Sequence, residues 1–220
     1  MREHREVAGR LVALSRYRAV IFDIGGAVDL EFAREMAVDG AIASACGVEG
    51  IRVDQAAVED ASERAVAAFA PDISRHMIET LCGGEPATVA RACQRAEAMT
   101  GNLDVFQLRP GMDELLQRLV ARGLVLGALG CPPERLARAG IEHLFTPNLE
   151  LPPPSCILVG DRLDKDIAPA KAAGMATIQF RSGRYRKQRP RSAAETPDAV
   201  VTDVPELEEA ITALMEGQAR

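Results

Sequence analysis

Two short apolar runs that end in aspartate constrain the fold of this chain more than any other feature. The first, residues 18–23, reads RAVIFD, ends at Asp23 and is followed by two glycines, Gly25 and Gly26. The second, CILVGD, ends at Asp161. Continuous apolar runs of this length are typical of strands buried on both faces of a parallel sheet. We therefore predict two strands whose carboxyl ends carry acids to one edge of a sheet.

The rest of the chain outside residues 29–108 alternates helical and strand patterns. Residues 109–123 show an amphipathic helical pattern, and the apolar run LVLGALG follows them. A short helix at 133–139, the strand MATIQF and a closing helix at 204–215 come later. This alternation predicts an α/β fold with a doubly wound, parallel, Rossmann-like sheet. We also expect a short leading helix over residues 2–15.

Residues 29–108 have a different character, because they are rich in alanine and helical in period throughout. Asp54, Asp72 and Pro86 stand at positions typical of helix starts, and two adjacent glycines at 83–84 separate two of the helices. About four helices and no strand are expected. We predict an all-helical domain, residues 29–108, inserted after the first strand of a core made of residues 1–28 and 109–220.

Composition narrows the class of protein. The 220-residue chain has a net charge of −6, and it lacks an apolar run of the roughly 20 residues that a membrane span needs. Its five cysteines are scattered without a C-x-x-C pair, which is typical of reduced thiols. We expect a soluble cytoplasmic protein that binds neither membranes nor nucleic acid. The basic run at 181–191 is interpreted as a solvated connecting loop, with steering of a phosphorylated ligand or a nucleic acid as the alternative.

Three acids are predicted to meet at the carboxyl edge of the sheet, where ligands bind in folds of this kind. Asp166 follows Asp161 by five residues, at the start of a helical pattern, and joins Asp23 there. Three carboxylates in one crevice repel each other unless a cation lies between them, and oxygen ligands alone favour Mg²⁺. Gly25 and Gly26 allow a tight turn whose amides face an anion and whose carbonyl faces the metal.

Three segments make the chain resemble the haloacid dehalogenase superfamily, in the subgroup with a helical cap after the first strand. They are FDIGGAV, LRPGMDELLQRLVARGLVLGALG and GDRLDKDIAPAKAAGM. The resemblance implies a hydrolase, phosphatase-like, that acts on a small phosphorylated metabolite with Mg²⁺ as cofactor. It makes Asp23 the nucleophile, and it makes the metal ligands Asp23, the Gly25 carbonyl, Asp161 and Asp166. The phosphate would lie against Gly25, Gly26 and Gly130.

The chain also departs from the family's pattern at its catalytic positions. Gly25 stands where phosphatases carry the second aspartate, a general acid and base, and Ala27 stands where they carry threonine. Gly130 replaces a serine or threonine that holds phosphate, and the stretch from Cys131 to Val159 contains no lysine. Loss of general acid–base help costs about 10²–10⁴-fold, and loss of an oxyanion donor about 10²–10³-fold. We therefore predict weak activity.

Other interpretations stay open at this point. The chain is alternatively a catalytically inactive relative that serves as a ligand-binding or interaction module. A phosphonate hydrolase of the known kind is excluded because residues 29–108 contain no lysine for an imine. Cys131 is interpreted as an inert thiol and not as a nucleophile, since no histidine is an obvious partner. The segment NLELPPP indicates that the usual crossover helix before the strand CILVGD is missing.

Overall fold

The structure, a computed structural model, describes residues 15–217 apart from residues 102 and 104. The leading helix predicted over residues 2–15 lies outside the described residues except for Ser15. The chain divides into two compact units. The first is made of Met1–Leu30, Phe106–Ser182 and Pro190–Arg220, and the second of Glu31–Val105 and Gly183–Arg189. The assignment of domains at 1–28, 29–108 and 109–220 stays a prediction.

Among its described residues, the second unit contains four α-helices: α1 (Phe32–Val48), α2 (Gln55–Ala67), α3 (Ile73–Leu81) and α4 (Pro86–Thr100). Asp54 caps α2 by accepting a hydrogen bond from the Ala57 amide at 2.8 Å, and Asp72 caps α3 in the same way. The predicted helix starts are thus confirmed. Small and apolar side chains fill the centre of this unit, among them Ile42, Ala61, Met77, Ile78 and Ala92.

The segment Gly183–Arg189 belongs to the helical unit although it follows the last long strand of the core. The Arg184 guanidinium donates to Asp39 at 2.7 Å and to Ser62, and its amide donates to Glu35 at 2.7 Å. Only 10% of the Arg184 side chain is exposed. The interpretation of this basic run as a solvated loop is therefore wrong for Arg184, because burial against two acids satisfies its charge.

The first unit contains a five-stranded parallel sheet in the order β2-β1-β3-β4-β5. Its strands are β1 (Ala19–Asp23), β2 (Val125–Leu129), β3 (Cys156–Gly160), β4 (Ala176–Phe180) and β5 (Ala199–Val201). The predicted α/β class is confirmed. From β1 the chain goes out to β2 and returns past β1 to β3, so the topological switch point lies between β1 and β3.

One face of this sheet carries the main hydrophobic core. Val20, Phe22, Leu126 and Ile157 are fully buried there, and they belong to the same apolar cluster as side chains of α5 (Met112–Ala121) and α8 (Val204–Met215). Successive residues of a strand point to opposite faces, so Ile21 and Asp23 share the other face. Two shorter α-helices, α6 (Pro133–Arg138) and α7 (Ala168–Ala172), also belong to this unit.

The connection between β2 and β3 is reduced. After α6 it contains two single-turn 3₁₀ segments, and one isolated parallel bridge joins Leu126 to Phe145. The expectation of a missing crossover helix is confirmed, since residues 139–155 contain no α-helix. A cavity of about 630 Å³ lies beside β2 and is lined by Ile21, Gly127, Leu149, Cys156 and Met175 among others. Within the described part of the chain, no helix combines the length and the apolar character that crossing a membrane requires.

Candidate functional site

Three carboxylates converge at the carboxyl edge of the sheet. Asp23 is the last residue of β1, Asp161 follows β3 directly, and Asp166 lies in the helical turn Leu163–Ile167. One carboxylate oxygen from each of the three acids lies within 4.8 Å of an oxygen from each of the other two. This spacing is suited to holding a metal ion. Asp161 is buried, with 4% of its surface exposed. The order of β1 and β3 in the sheet produces this arrangement, because both strands border the switch point.

A glycine lies against each carboxylate. A Cβ atom placed on Gly26 would lie 2.6 Å from Asp161 Cγ, and one on Gly130 would lie 2.7 Å from Asp23 Oδ1. A Cβ atom on Gly160 would lie 2.6 Å from the Cβ of Asp166. Gly26 and Gly130 also have φ angles of +69° and +73°, a region that favours glycine. The room for the three acids is therefore made by the absence of side chains at these glycines.

Asp166 is held by its own turn. Its Oδ2 accepts a hydrogen bond from the Arg162 amide at 2.8 Å. Burial raises the pKa of Asp166, and the Arg162 hydrogen bond opposes this rise. The Arg162 side chain pairs with Asp164 at 2.8 Å, and both side chains are largely buried. A buried acid with a raised pKa beside two further acids is an arrangement that a bound cation stabilises.

The turn Ile24–Val28 connects Asp23 to the rest of the site. It closes with a hydrogen bond from the Asp29 amide to the Ile24 carbonyl at 2.8 Å. Gly25 has φ −64° and ψ 139°, an extended conformation that any residue adopts. The backbone of Gly26 is not in this extended region. Burial of Ile24, Ala27 and Val28 anchors the turn in the core. The roles of Gly25 in metal binding and of Gly25, Gly26 and Gly130 in phosphate binding stay predictions.

Two residues that shape this turn were not among the predicted site residues. Asp29 is buried and accepts a hydrogen bond from the Gln107 amide at 2.9 Å. Arg109 donates to the carbonyls of Gly26 and Ala27 from its guanidinium. The sequence did contain a signal for both residues. Asp29 stands where the chain leaves the core for the predicted helical insertion, and Arg109 stands where the chain returns.

Cys131 follows Gly130 beside the site. Burial is the main cause that raises the pKa of the Cys131 thiol, and a nearby arginine lowers it less. A thiol with a raised pKa is neutral at pH 7 and is a poor nucleophile. The structure thus supports the interpretation of Cys131 as inert.

Comparison with known proteins gives consistent matches to this core. Residues 128–207 match the sequence profile of the HAD-hydrolase-like family. The glyceraldehyde 3-phosphate phosphatase of Methanopyrus kandleri is 34% identical over 116 residues, which are 40% of this chain and 50% of that protein. The match with this curated relative therefore spans only about half of its length.

Two solved structures share the fold over most of their length. A predicted phosphoglycolate phosphatase from Haemophilus somnus superposes with a TM-score of 0.65 at 18% identity, covering 90% of this chain and 99% of that one. The putative HAD-hydrolase YfnB from Bacillus subtilis, bound to magnesium, gives a TM-score of 0.60 at 16% identity, covering 89% and 99%. At these identities the likeness concerns the fold alone. The chain is thus similar in sequence, over residues 128–207, to the HAD-hydrolase-like family, and similar in fold to solved structures of haloacid dehalogenase type.

Proposed function

We propose that this protein is a Mg²⁺-dependent, phosphatase-type hydrolase of small phosphorylated metabolites, with Asp23 as the nucleophile and weak activity. The observation that carries the proposal is the convergence of Asp23, Asp161 and Asp166 within 4.8 Å at the switch point of the sheet. The glyceraldehyde 3-phosphate phosphatase relative supports a small phosphorylated substrate. The proposed location is the cytosol.

The donor set fits Mg²⁺. All three side chains offer carboxylate oxygens, which hard divalent cations prefer, and no histidine or cysteine belongs to the group. Asp23, Asp161 and Asp166 would hold the ion together with the Gly25 carbonyl. When bound, Mg²⁺ supplies positive charge that offsets the repulsion between these acids and the negative charge of a phosphate ester.

Asp23 would perform the chemical step. One carboxylate oxygen attacks phosphorus, and the bond between phosphorus and the ester oxygen breaks as the bond to Asp23 forms. The leaving oxygen takes the bonding electron pair. Water then attacks phosphorus, the bond between phosphorus and the Asp23 oxygen breaks, and a water proton passes to the departing phosphate or to solvent, which leaves inorganic phosphate and the free Asp23 carboxylate. Because Gly25 has no proton donor, the leaving group departs as an anion, so esters of acidic alcohols such as phenols are favoured.

The test measures hydrolysis of p-nitrophenyl phosphate with and without Mg²⁺. We expect slow, Mg²⁺-dependent release of p-nitrophenolate by the wild type, abolished in Asp23→Asn and retained in Asp164→Asn. Asp164 is the matched control because it is an acid of the same loop that pairs with Arg162 and lies outside the carboxylate group. Wild-type hydrolysis that persists in Asp23→Asn would remove Asp23 from the mechanism.

A second variant tests the role of the missing acid. We expect Gly25→Asp to speed hydrolysis of an alkyl phosphate, because the extended backbone at position 25 accepts a side chain and the aspartate restores the proton donor. The expected gain is at least about tenfold, below the full general-acid effect of about 10²–10⁴-fold. Rapid turnover of an alkyl phosphate by the wild type would show that another residue supplies the acid.

A second candidate function is a catalytically inactive relative that binds a metal and an anionic ligand. The observation that favours it is the backbone of Gly130, whose positive φ and contact with Asp23 leave no room for a phosphate-holding serine. Mg²⁺ binding without hydrolysis of p-nitrophenyl phosphate would select this candidate over the first.

A further inference from the structure

Arg109 holds three consecutive carbonyl groups of the turn that follows Asp23. Its amide donates to the Val28 carbonyl at 2.9 Å, and its Nε donates to the Ala27 carbonyl at 3.0 Å. Its Nη2 donates to the Gly26 carbonyl and, at 2.7 Å, to the Ser182 hydroxyl. The Ser182 hydroxyl in turn donates to the same Gly26 carbonyl at 3.0 Å. Arg109 thus fixes the turn through its guanidinium and its amide, with Ser182 as a second support.

The planar Arg109 guanidinium makes contacts through both its edge and its face. Its central carbon lies 4.5 Å from the centroid of the Phe180 ring, within the range of a cation–π contact. The forked hydrogen bonds and the contact with Phe180 together require a flat group with several donors, which arginine provides and lysine does not. Burial lowers the pKa of Arg109, while the charges of Asp29 and Asp161 raise it.

The clamped turn controls the geometry of the carboxylates. Gly26 lies directly against the Asp161 side chain, and Asp23 immediately precedes the turn. An outward movement of the Gly26 peptide would release Asp161 from this contact. Sites of this kind lose function when supporting groups let their ligands move by about 0.5 Å.

We propose that Arg109 is a positioning residue, which clamps the turn Ile24–Val28 against Asp161 and thereby holds the carboxylate site in its cation-binding arrangement. This inference deepens the proposed function and depends on it only for the consequence in metal binding. The expected loss of Mg²⁺ affinity is about tenfold, the lower end of the range for groups that orient metal ligands.

The experiment compares Arg109→Lys, Ser182→Ala and wild type by amide hydrogen exchange and by Mg²⁺ titration. Loss of a positive charge alone would strengthen cation binding, so the lysine variant, which keeps the charge, is decisive. Arg118→Met is the matched control, because Arg118 lies in the same unit and pairs with Glu208 at the surface. Circular dichroism establishes that each variant is folded at the temperature of measurement.

We expect faster exchange confined to residues 24–30 in Arg109→Lys, a smaller effect in Ser182→Ala and none in the control. We also expect Mg²⁺ affinity to fall about tenfold in Arg109→Lys. Unchanged exchange at residues 24–30, or unchanged Mg²⁺ affinity where the wild type binds the ion, would overturn the proposal. If the wild type binds no Mg²⁺, the proposed function fails by itself, and exchange at residues 24–30 still decides the role of Arg109.

Discussion

At the residue scale, the site is defined as much by glycines as by acids. The placement of Asp23 and Asp161 was predictable, because each directly ends an apolar run typical of a buried parallel strand, and the carboxyl ends of such strands meet at one edge of the sheet. The contacts of Gly26 and Gly130 with these acids were not predictable, since a sequence does not show which distant side chain fills the space beside a glycine. These contacts decide which substitutions the site tolerates.

Gly130→Ser tests this constraint. A serine at φ +73° costs about 1–2 kcal/mol of stability, and its Cβ also meets Asp23. We expect a lower melting temperature and no gain in hydrolysis of p-nitrophenyl phosphate. Gly140→Ser is the control, because Gly140 has the same φ and open space around its Cβ. Equal losses in both variants, measured by thermal melting, would show that contact with Asp23 has no energetic effect.

Asp166→Asn tests the cost of the buried acid. A raised pKa means that folding favours the protonated form of the Asp166 carboxyl. The contribution of the protonated carboxyl to stability is therefore complete below the usual pKa of 3.8, and it is lost as the pH rises through the raised pKa. At pH 7 without Mg²⁺, Asp166→Asn should therefore melt a few degrees above the wild type, and the difference should shrink below pH 4. An asparagine variant that melts lower than the wild type at pH 7 would contradict the burial argument.

At the element scale, long periodic segments were predictable and short ones were not. The amphipathic helix α5, the closing helix α8 and the capped helices α2 and α3 lie where apolar spacing and capping residues indicated. The three-residue strand β5 was missed because so short a run carries no pattern of its own. The transfer of Gly183–Arg189 to the helical unit was missed because its contacts with α1 and α2 are far away in sequence.

Arg184→Met tests whether this segment stabilises the helical unit. Removing the guanidinium leaves the Asp39 carboxylate without its partner in a mostly buried position, which costs about 3 kcal/mol at the lower end of the range for such pairs. Arg186→Met is the control, because Arg186 is exposed and its side chain donates to the Gly183 carbonyl of its own segment. Urea unfolding should show a large loss for the first variant and less than about 0.5 kcal/mol for the second. Equal losses would refute the anchoring role of Arg184.

At the scale of the whole molecule, the chain combines an established fold with an altered site. The core is similar to the haloacid dehalogenase superfamily, whereas Gly25, Ala27 and Gly130 lack the side chains that this resemblance implies for a phosphatase. The three acids lie together, which supports the proposal of cation binding. The glycines and the alanine at positions 25, 130 and 27 support the proposal that phosphoryl transfer is weak. Substrate choice was not predictable, because it depends on surfaces whose shape a single sequence does not reveal.

The proposed metal site is tested most directly by the melting temperature at rising Mg²⁺ concentration for the wild type, Asp161→Asn and Asp164→Asn. A ligand that binds only the folded state stabilises it by about 2.7 kcal/mol at 100 times its Kd. We expect the melting temperature to rise with Mg²⁺ for the wild type and for Asp164→Asn and to stay constant for Asp161→Asn. A flat line for the wild type, or an equal rise in Asp161→Asn, would contradict the metal site.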